Sequence, residues 1–187
     1  MSRRRPPQYD LPNAAPEPLR LVQKLLNTRD AEHTNEWLGT PRELAAWLEE
    51  NGMPVARVTS AEVERVQRVR EALRELVIVN NHGGEVDAQQ SALLDSEAER
   101  ATLRVSFDPP GLVPAARGID GALARIFAVV HEARCDGTWQ RLKGCRNCHW
   151  AFYDESKNRS ATWCSMELCG NRLKTKRYRT KRSTSPV

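Results

Sequence analysis

Four of the five cysteines in this chain form two close pairs near its C-terminal end, and this pattern constrains the fold more than any other feature. Cys145 and Cys148 are separated by two residues, Cys164 and Cys169 by four, and 15 residues lie between the pairs. A short turn can bring the sulfurs of each pair within about 4 Å, and zinc binds four thiolates at about 2.3 Å in a closed structural site. The spacing predicts one structural zinc ion per chain.

Other uses of paired cysteines fit this pattern less well. Disulfides need an oxidising compartment, which nothing in the sequence indicates. A thioredoxin-type pair needs a βαβ context, and iron–sulfur clusters have other familiar spacings. The fifth cysteine, Cys135, lies four residues after His131 on an apolar helix. A site formed by Cys135 and His131 is one alternative, but we expect Cys135 to be a small buried residue.

The sequence shows no feature of export or membrane insertion. Apolar runs such as residues 76–79 and 126–130 are far too short to span a bilayer. Arg3, Arg4 and Arg5 precede two prolines rather than the apolar segment of a signal peptide. We expect a cytoplasmic protein with reduced thiols and no membrane partner.

The hydrophobic pattern of residues 19–136 predicts an α+β domain that is mostly helical, with one β-hairpin. Capping boxes begin two of the helices, at Thr40 with Glu43 and at Thr59 with Glu62. The strand pattern appears once, where apolar and polar residues alternate over 103–107 before a Pro-Pro-Gly turn. Helices are predicted over residues 19–38, 41–51, 60–82, 88–98 and 119–136, while the proline-rich leader, 1–18, is predicted to be extended or disordered.

The charge of the chain is distributed unevenly. The whole sequence has 29 Lys and Arg against 24 Asp and Glu, but 12 basic and only 3 acidic residues lie from Gly137 onward. This asymmetry indicates a polyanionic partner, and we expect DNA in preference to RNA. A solvated basic tail without a partner is the alternative.

The C-terminal region resembles the CGNR zinc finger. The resemblance rests on Trp163-Cys164-Ser165-Met166, on Cys169-Gly170-Asn171-Arg172, on residues 139–143 and on the polar stretch 152–160. The helical body with its hairpin, and residues 25–29 in particular, is similar to the ABATE domain of stress-induced transcription regulators. Together with the prolines of the leader and the turn and charge switch at Asp136-Gly137, the resemblance predicts a leader (1–18), an ABATE-like domain (19–136), a four-cysteine zinc finger ending in a basic helix (137–182) and a short disordered tail (183–187).

Basic residues around the cysteines fall into two predicted groups. Four thiolates and a divalent ion leave a net charge of about −2, which nearby cations stabilise, and Arg146, Arg159 and Arg172 are the candidates. A helix after Cys169 turns by about 100° per residue, which separates its basic residues into two faces. Lys174, Arg177 and Lys181 are expected to face solvent and bind phosphates. Lys176 and Arg179, which lie with Arg172 on the other face, are also expected to bind nucleic acid but to contribute less.

The sequence favours a binding protein over an enzyme. Its four histidines are dispersed, and it has no phosphate-binding glycine loop and no nucleophile elbow. We read Asp154, Ser156, Asn158 and Ser160 as turn formers, and Trp150 and Trp163 as the small core of the finger. The expected function is DNA-binding transcription regulation, with an N-terminal domain that senses a small-molecule effector or forms a homodimer. A protein-docking finger and an RNA-binding protein are the alternatives.

Overall fold

The structure is a computed structural model that describes residues 13–108 and 110–171. This part of the chain is α+β and mostly helical, as the sequence predicts, with three short antiparallel hairpins. In chain order the elements are α1 (Arg20–Leu26), β1 (Arg29–Asp30), β2 (Asn35–Glu36), α2 (Pro41–Glu50), α3 (Ser60–His82), α4 (Ala88–Arg100), β3 (Leu103–Phe107), β4 (Pro110–Pro114), α5 (Gly118–Cys135), β5 (Leu142–Gly144) and β6 (Ala151–Tyr153).

The first helix is much shorter than predicted. The prediction of a helix over residues 19–38 is wrong, because α1 ends at Leu26 and is followed by the hairpin β1–β2, whose strands have two residues each. The Thr28 hydroxyl donates to the carbonyl of Leu25 at 2.7 Å, and the Asp30 carboxylate accepts the backbone N–H groups of Glu32 and His33. These short polar side chains satisfy backbone groups locally and so favour a turn over further helix.

Both predicted N-caps are present, and the one at Thr59 is a full capping box. The Thr40 hydroxyl accepts from the Glu43 N–H, and Thr59 and Glu62 cap α3 reciprocally. The apolar stripe of α3 then lies in the main core, with Val69 and Leu73 among its most buried residues. The local helix signals of the sequence therefore set the starts of α2 and α3.

The buried surface of α3 also contains three arginines. Arg65, Arg70 and Arg74 flank the apolar stripe and are all buried, whereas Glu64 and Arg68 on the opposite face are exposed. Arg65 pairs with Glu97 of α4 at 2.6 Å, and Arg70 pairs with Glu36 of β2 at 2.7 Å. The helix is central to the fold and packs on several sides, so its long cations find partners inside the protein.

The predicted hairpin is present as β3 and β4, with Leu103 opposite Pro114. The orientation of β3 is the reverse of what its alternating residues suggest. The polar residue Ser106 is buried, whereas the apolar residues Val105 and Phe107 are 66% and 92% exposed. The hairpin packs on α5 through β4, so the alternating apolar residues of β3 point away from the core.

The cysteine-rich region packs on the helical domain. Trp139, Leu142 and Ala151 belong to the same buried core as α1, α3 and α5. Strand β5 lies directly on α3, because a Cβ on Gly144 would be 2.7 Å from Ile78 Cγ1. The end of the predicted leader also takes part, since Ala15 is buried and the Asn13 carbonyl accepts from the Tyr153 N–H at 3.0 Å. A single core therefore spans the predicted boundary near residue 136.

Candidate metal centre

The first cysteine pair lies on the loop between β5 and β6. The Cys145 N–H donates to the Trp150 carbonyl at 2.9 Å, and the His149 N–H donates to the Cys145 carbonyl at 3.0 Å. His149 has a φ of 60°, a left-handed conformation that closes the turn containing the two cysteines. The hairpin thus holds both sulfurs on one side of a tight turn. His149 contributes to this turn through its backbone conformation.

The second pair lies on one wide helical turn over Met166–Gly170 and the residues just before it. The N–H groups of both Cys169 and Gly170 donate to the Ser165 carbonyl, at 3.0 and 3.1 Å. A Cβ on Gly170 would be 2.7 Å from the Met166 sulfur. The turn brings the Cys169 sulfur to 3.6 Å from that of Cys164.

The four sulfurs form one compact cluster. All lie within 4.8 Å of one another, and Cys148 lies 3.7 Å from Cys164 and 3.6 Å from Cys169. A regular tetrahedron with zinc–sulfur bonds of about 2.3 Å has sulfur–sulfur edges of about 3.8 Å. Cys145, Cys164 and Cys169 are buried, with Trp150 and Phe152 in the same small core. The predicted ligand set is confirmed as a cluster that fits one structural zinc ion.

The thiols perturb one another in a way that a cation would relieve. Hydrogen bonds from Cys148 and Cys164 lower the pKa of the Cys145 thiol far below its ordinary value. The pKa values of Cys148 and Cys164 are raised, because their hydrogen bonds with Cys145 favour the protonated form and burial adds to the effect. A divalent ion stabilises coordinated thiols as thiolates, so this donor set suits zinc.

The donor nearest the sulfurs is not one of the predicted arginines. The Asn147 amide lies 3.6 Å from the Cys169 sulfur. Arg146 instead donates to the Asn81 carbonyl at the end of α3, at 2.5 Å, and Arg159 contributes its carbonyl to Lys143. Arg172 lies outside the described residues.

The polar stretch between the cysteine pairs holds its loop in place, as the sequence predicts. Asp154 is buried and accepts from the Lys143 ammonium at 2.7 Å and from the backbone of Ser156 and Ala161. Burial would raise the pKa of Asp154, but these hydrogen bonds, with that from Lys143 the largest, leave it below its ordinary value. The Ser156 hydroxyl accepts from the Ser160 N–H. This carboxylate is therefore structural.

Buried amides of α1 and its C-cap bind the finger directly, and the sequence analysis did not identify them. Asn27 brackets Ala151: its amide donates to the Ala151 carbonyl and its carbonyl accepts the Ala151 N–H, both at 2.8 Å. Gln23 donates to the same carbonyl at 3.1 Å. Both are almost fully buried. Polar residues at apolar positions of an amphipathic helix are the only signal that could have identified them.

The end of α3 makes a second set of such contacts. Asn80 donates to the carbonyls of Trp139 and Leu142, and Asn81 donates to those of Gly144 and Thr162, at 2.7 to 3.0 Å. Arg74 joins the Leu26 carbonyl to that of His149 beside the first cysteine pair. The zinc centre is thus fixed to both α1 and α3.

Cys135 does not belong to the cluster. It is exposed on the last turn of α5, and its sulfur lies 3.6 Å from His131 Nε2. The prediction of a buried cysteine is wrong, because the C-terminal turn of α5 leaves the core before the chain returns at Trp139.

Comparison with known families agrees with this architecture. A model described as CGNR zinc finger matches residues 141–182, which contain all four ligands. A second model, ABATE, described as "Putative stress-induced transcription regulator", matches residues 19–134, more than half of the chain. The chain belongs to the ABATE family. In family terms, α1 to α5 form the ABATE domain, and β5, β6 and the cysteine turns form the described part of the CGNR finger.

No protein of curated function matches this ABATE-family chain. Within residues 13–108 and 110–171, no helix is both long enough and apolar enough to cross a membrane. The residues predicted to bind nucleic acid lie outside the described part, as does the predicted basic helix: Lys174, Lys176, Arg177, Arg179 and Lys181. Their placement remains a prediction from the sequence.

Proposed function

We propose that this ABATE-family protein is a cytoplasmic, nucleoid-associated transcription regulator that binds DNA through the basic segment following its zinc centre. Membership of the family supports the regulatory role. The DNA-binding step is inferred from the charge and position of that segment, and the ABATE domain is assigned the sensing or self-association role.

The proposal rests on the contrast between the basic residues inside the finger and those that follow it. Arg141 donates to the carbonyls of Asp154 and Ser156, and Lys143 is buried against Asp154. Both cations hold the finger together, Lys143 as a buried residue and Arg141 as a half-buried one. Seven basic residues and no acidic residue lie in 172–182, which begins three positions after the ligand Cys169. Zinc thus anchors the start of a strongly cationic segment, the kind that neutralises DNA phosphates.

The geometry of the zinc centre favours a structural role over catalysis. Four thiolates complete a tetrahedral shell and leave no position for a substrate or an activated water. Three of the four ligands are buried. We therefore propose that the protein is not an enzyme.

Self-association of the ABATE domain is supported by the exposed apolar face of β3. Phe107 is 92% exposed and Val105 is 66% exposed, so neither contributes to the core. Sedimentation velocity of the intact protein tests this role. A Phe107→Ser variant should keep the thermal stability of the parent and shift the population towards monomer, and a parent that is monomeric at all concentrations would rule the role out.

A salt titration of DNA binding tests the main proposal. Fluorescence anisotropy with genomic fragments recovered on the intact protein should show affinity falling with salt, at a log–log slope of about −0.9 per neutralised phosphate. Changing Lys174, Arg177 and Lys181 to alanine should reduce that slope by about 3 and leave zinc content unchanged.

A matched control keeps the change of net charge constant. Arg68, Arg100 and Arg104 are exposed on the ABATE domain, and changing all three to alanine should leave DNA affinity close to that of the parent. If both triple variants lose affinity equally, the effect is one of net charge. Stronger competition by RNA than by DNA would favour an RNA-binding protein, and unchanged affinity and slope in the first variant would favour protein docking.

A further inference from the structure

A surface cavity in the ABATE domain lies away from the zinc centre. Its volume is about 710 Å³, and it is formed by the loop between α2 and α3 on one side and by the β4–α5 loop with the first turns of α5 on the other. Met53, Val55, Pro114 and Ala122 are among the residues of its apolar wall. The volume lies within the range of about 300 to 1,000 Å³ that is usual for small-molecule sites.

The charges around this cavity all have the same sign. Three arginines line it, and no acidic residue is among the described residues that do. Arg57 and Arg117 are exposed and make no ion pair with any described part of the chain. Cations that are not neutralised by the protein and that surround a low-dielectric wall raise the local concentration of anions.

The third arginine is held in place by the end of α2. Arg125 Nη1 donates to the carbonyls of Gly52 and Asn51, at 3.1 and 3.4 Å. These bonds use one nitrogen of the guanidinium, and no described residue bonds to the Nε and Nη2 donors. A guanidinium fixed in this way is well suited to a carboxylate, because its planar donors match the two oxygens.

The β4–α5 loop is packed closely against α5. A Cβ on Gly121 would lie 2.5 Å from the Ala116 carbonyl oxygen, so only glycine allows this approach. The residue that precedes α5, Arg117, provides no side-chain cap for the helix. Asp120, in the first turn of this 18-residue helix, does not line the cavity and pairs with Arg65 at 2.7 Å, so the partial positive charge at the helix start adds to the field of the three arginines.

We propose that this cavity binds a small organic anion with an apolar body and a carboxylate group. The apolar wall offers nothing to a nucleic-acid backbone, whereas it can bury the body of a small ligand while the arginines bind its charged end. Binding at this site does not depend on the DNA-binding role of the finger, and a ligand here would be the effector of the ABATE domain.

Calorimetric titration of the zinc-loaded protein tests the proposal with three pairs of probes. Benzoate, 1-naphthoate and octanoate are compared with benzyl alcohol, 1-naphthalenemethanol and octanol, which have the same apolar bodies without the charge. At least one carboxylate should bind, and its alcohol should bind at least tenfold more weakly. Because Ala56 is an exposed residue of the lining, Ala56→Trp should block part of the cavity and weaken binding without altering the core.

A charge-matched pair of variants locates the anion. Arg57→Gln with Arg117→Gln should weaken carboxylate binding at least tenfold, whereas Arg100→Gln with Arg104→Gln, on exposed residues outside the cavity, should not. The proposal is wrong if no carboxylate binds, if each alcohol binds as well as its acid, or if both double variants behave alike. It is also overturned if the Arg57 and Arg117 variant loses DNA affinity without any carboxylate present, since the arginines would then contact phosphates.

Discussion

Replacing Asn27 by alanine should destabilise the whole chain, because its amide is one of the buried groups that join the ABATE domain to the finger. Asn27 is fully buried, and its side chain bonds both the N–H and the carbonyl of Ala151. In the variant the Ala151 carbonyl keeps the Gln23 amide at 3.1 Å. The Ala151 N–H, by contrast, loses its partner and stays inside the protein.

The magnitude follows from these contacts. Each net hydrogen bond contributes about 1 kcal/mol, and a buried unpaired donor costs about 1 to 3 kcal/mol. We expect the free energy of unfolding to fall by about 3 kcal/mol, which for a chain of this size lowers the Tm by about 6 to 12 °C. Asn27→Asp should be at least as destabilising, because it places a carboxylate against the Ala151 carbonyl.

Thermal unfolding followed by circular dichroism measures this effect, with zinc release followed in parallel by a chromogenic chelator. Helix melting and zinc release should shift together, since α1 and the finger share one core. Asn35→Ala, at an exposed position of β2, is the control and should change Tm by less than about 2 °C. An equally small shift for Asn27→Ala, or zinc release well before helix melting, would refute the coupling.

Three further outcomes are expected. Cys164→Ser should abolish stoichiometric zinc in metal analysis and lower the Tm of the ABATE domain as well, whereas full zinc content would contradict the ligand assignment. Zinc binding at pH 7 should release at least two protons, from Cys148 and Cys164, because the raised pKa of each thiol keeps it protonated without metal. Calorimetric titration in buffers of different ionisation enthalpy measures the number of protons released, and release of fewer than two would contradict this prediction. Gly144→Ala should cost about 1 to 3 kcal/mol by clashing with Ile78, and an added Ile78→Ala should restore part of that loss in thermal melts.

The sequence alone determined the features that depend on neighbouring residues. The N-caps at Thr40 and Thr59 begin α2 and α3 because each threonine hydroxyl accepts the backbone N–H three residues further on, and at Thr59 the Glu62 carboxylate returns the bond. The two cysteine pairs predicted the metal cluster because each pair needs only one turn of chain to bring its sulfurs together. The alternating residues of 103–107 predicted a strand because successive side chains of a strand point to opposite faces.

Only the tertiary structure decided which polar groups would be buried and what they would bind. Asn27 and Ala151 are 124 positions apart, so no local pattern indicates that a helix amide completes the backbone bonding of the finger. The hairpin pattern likewise could not show that β3 turns Phe107 to solvent, because the facing depends on how β4 meets α5. A buried polar group needs a hydrogen-bond partner, and here that partner comes from a distant part of the chain.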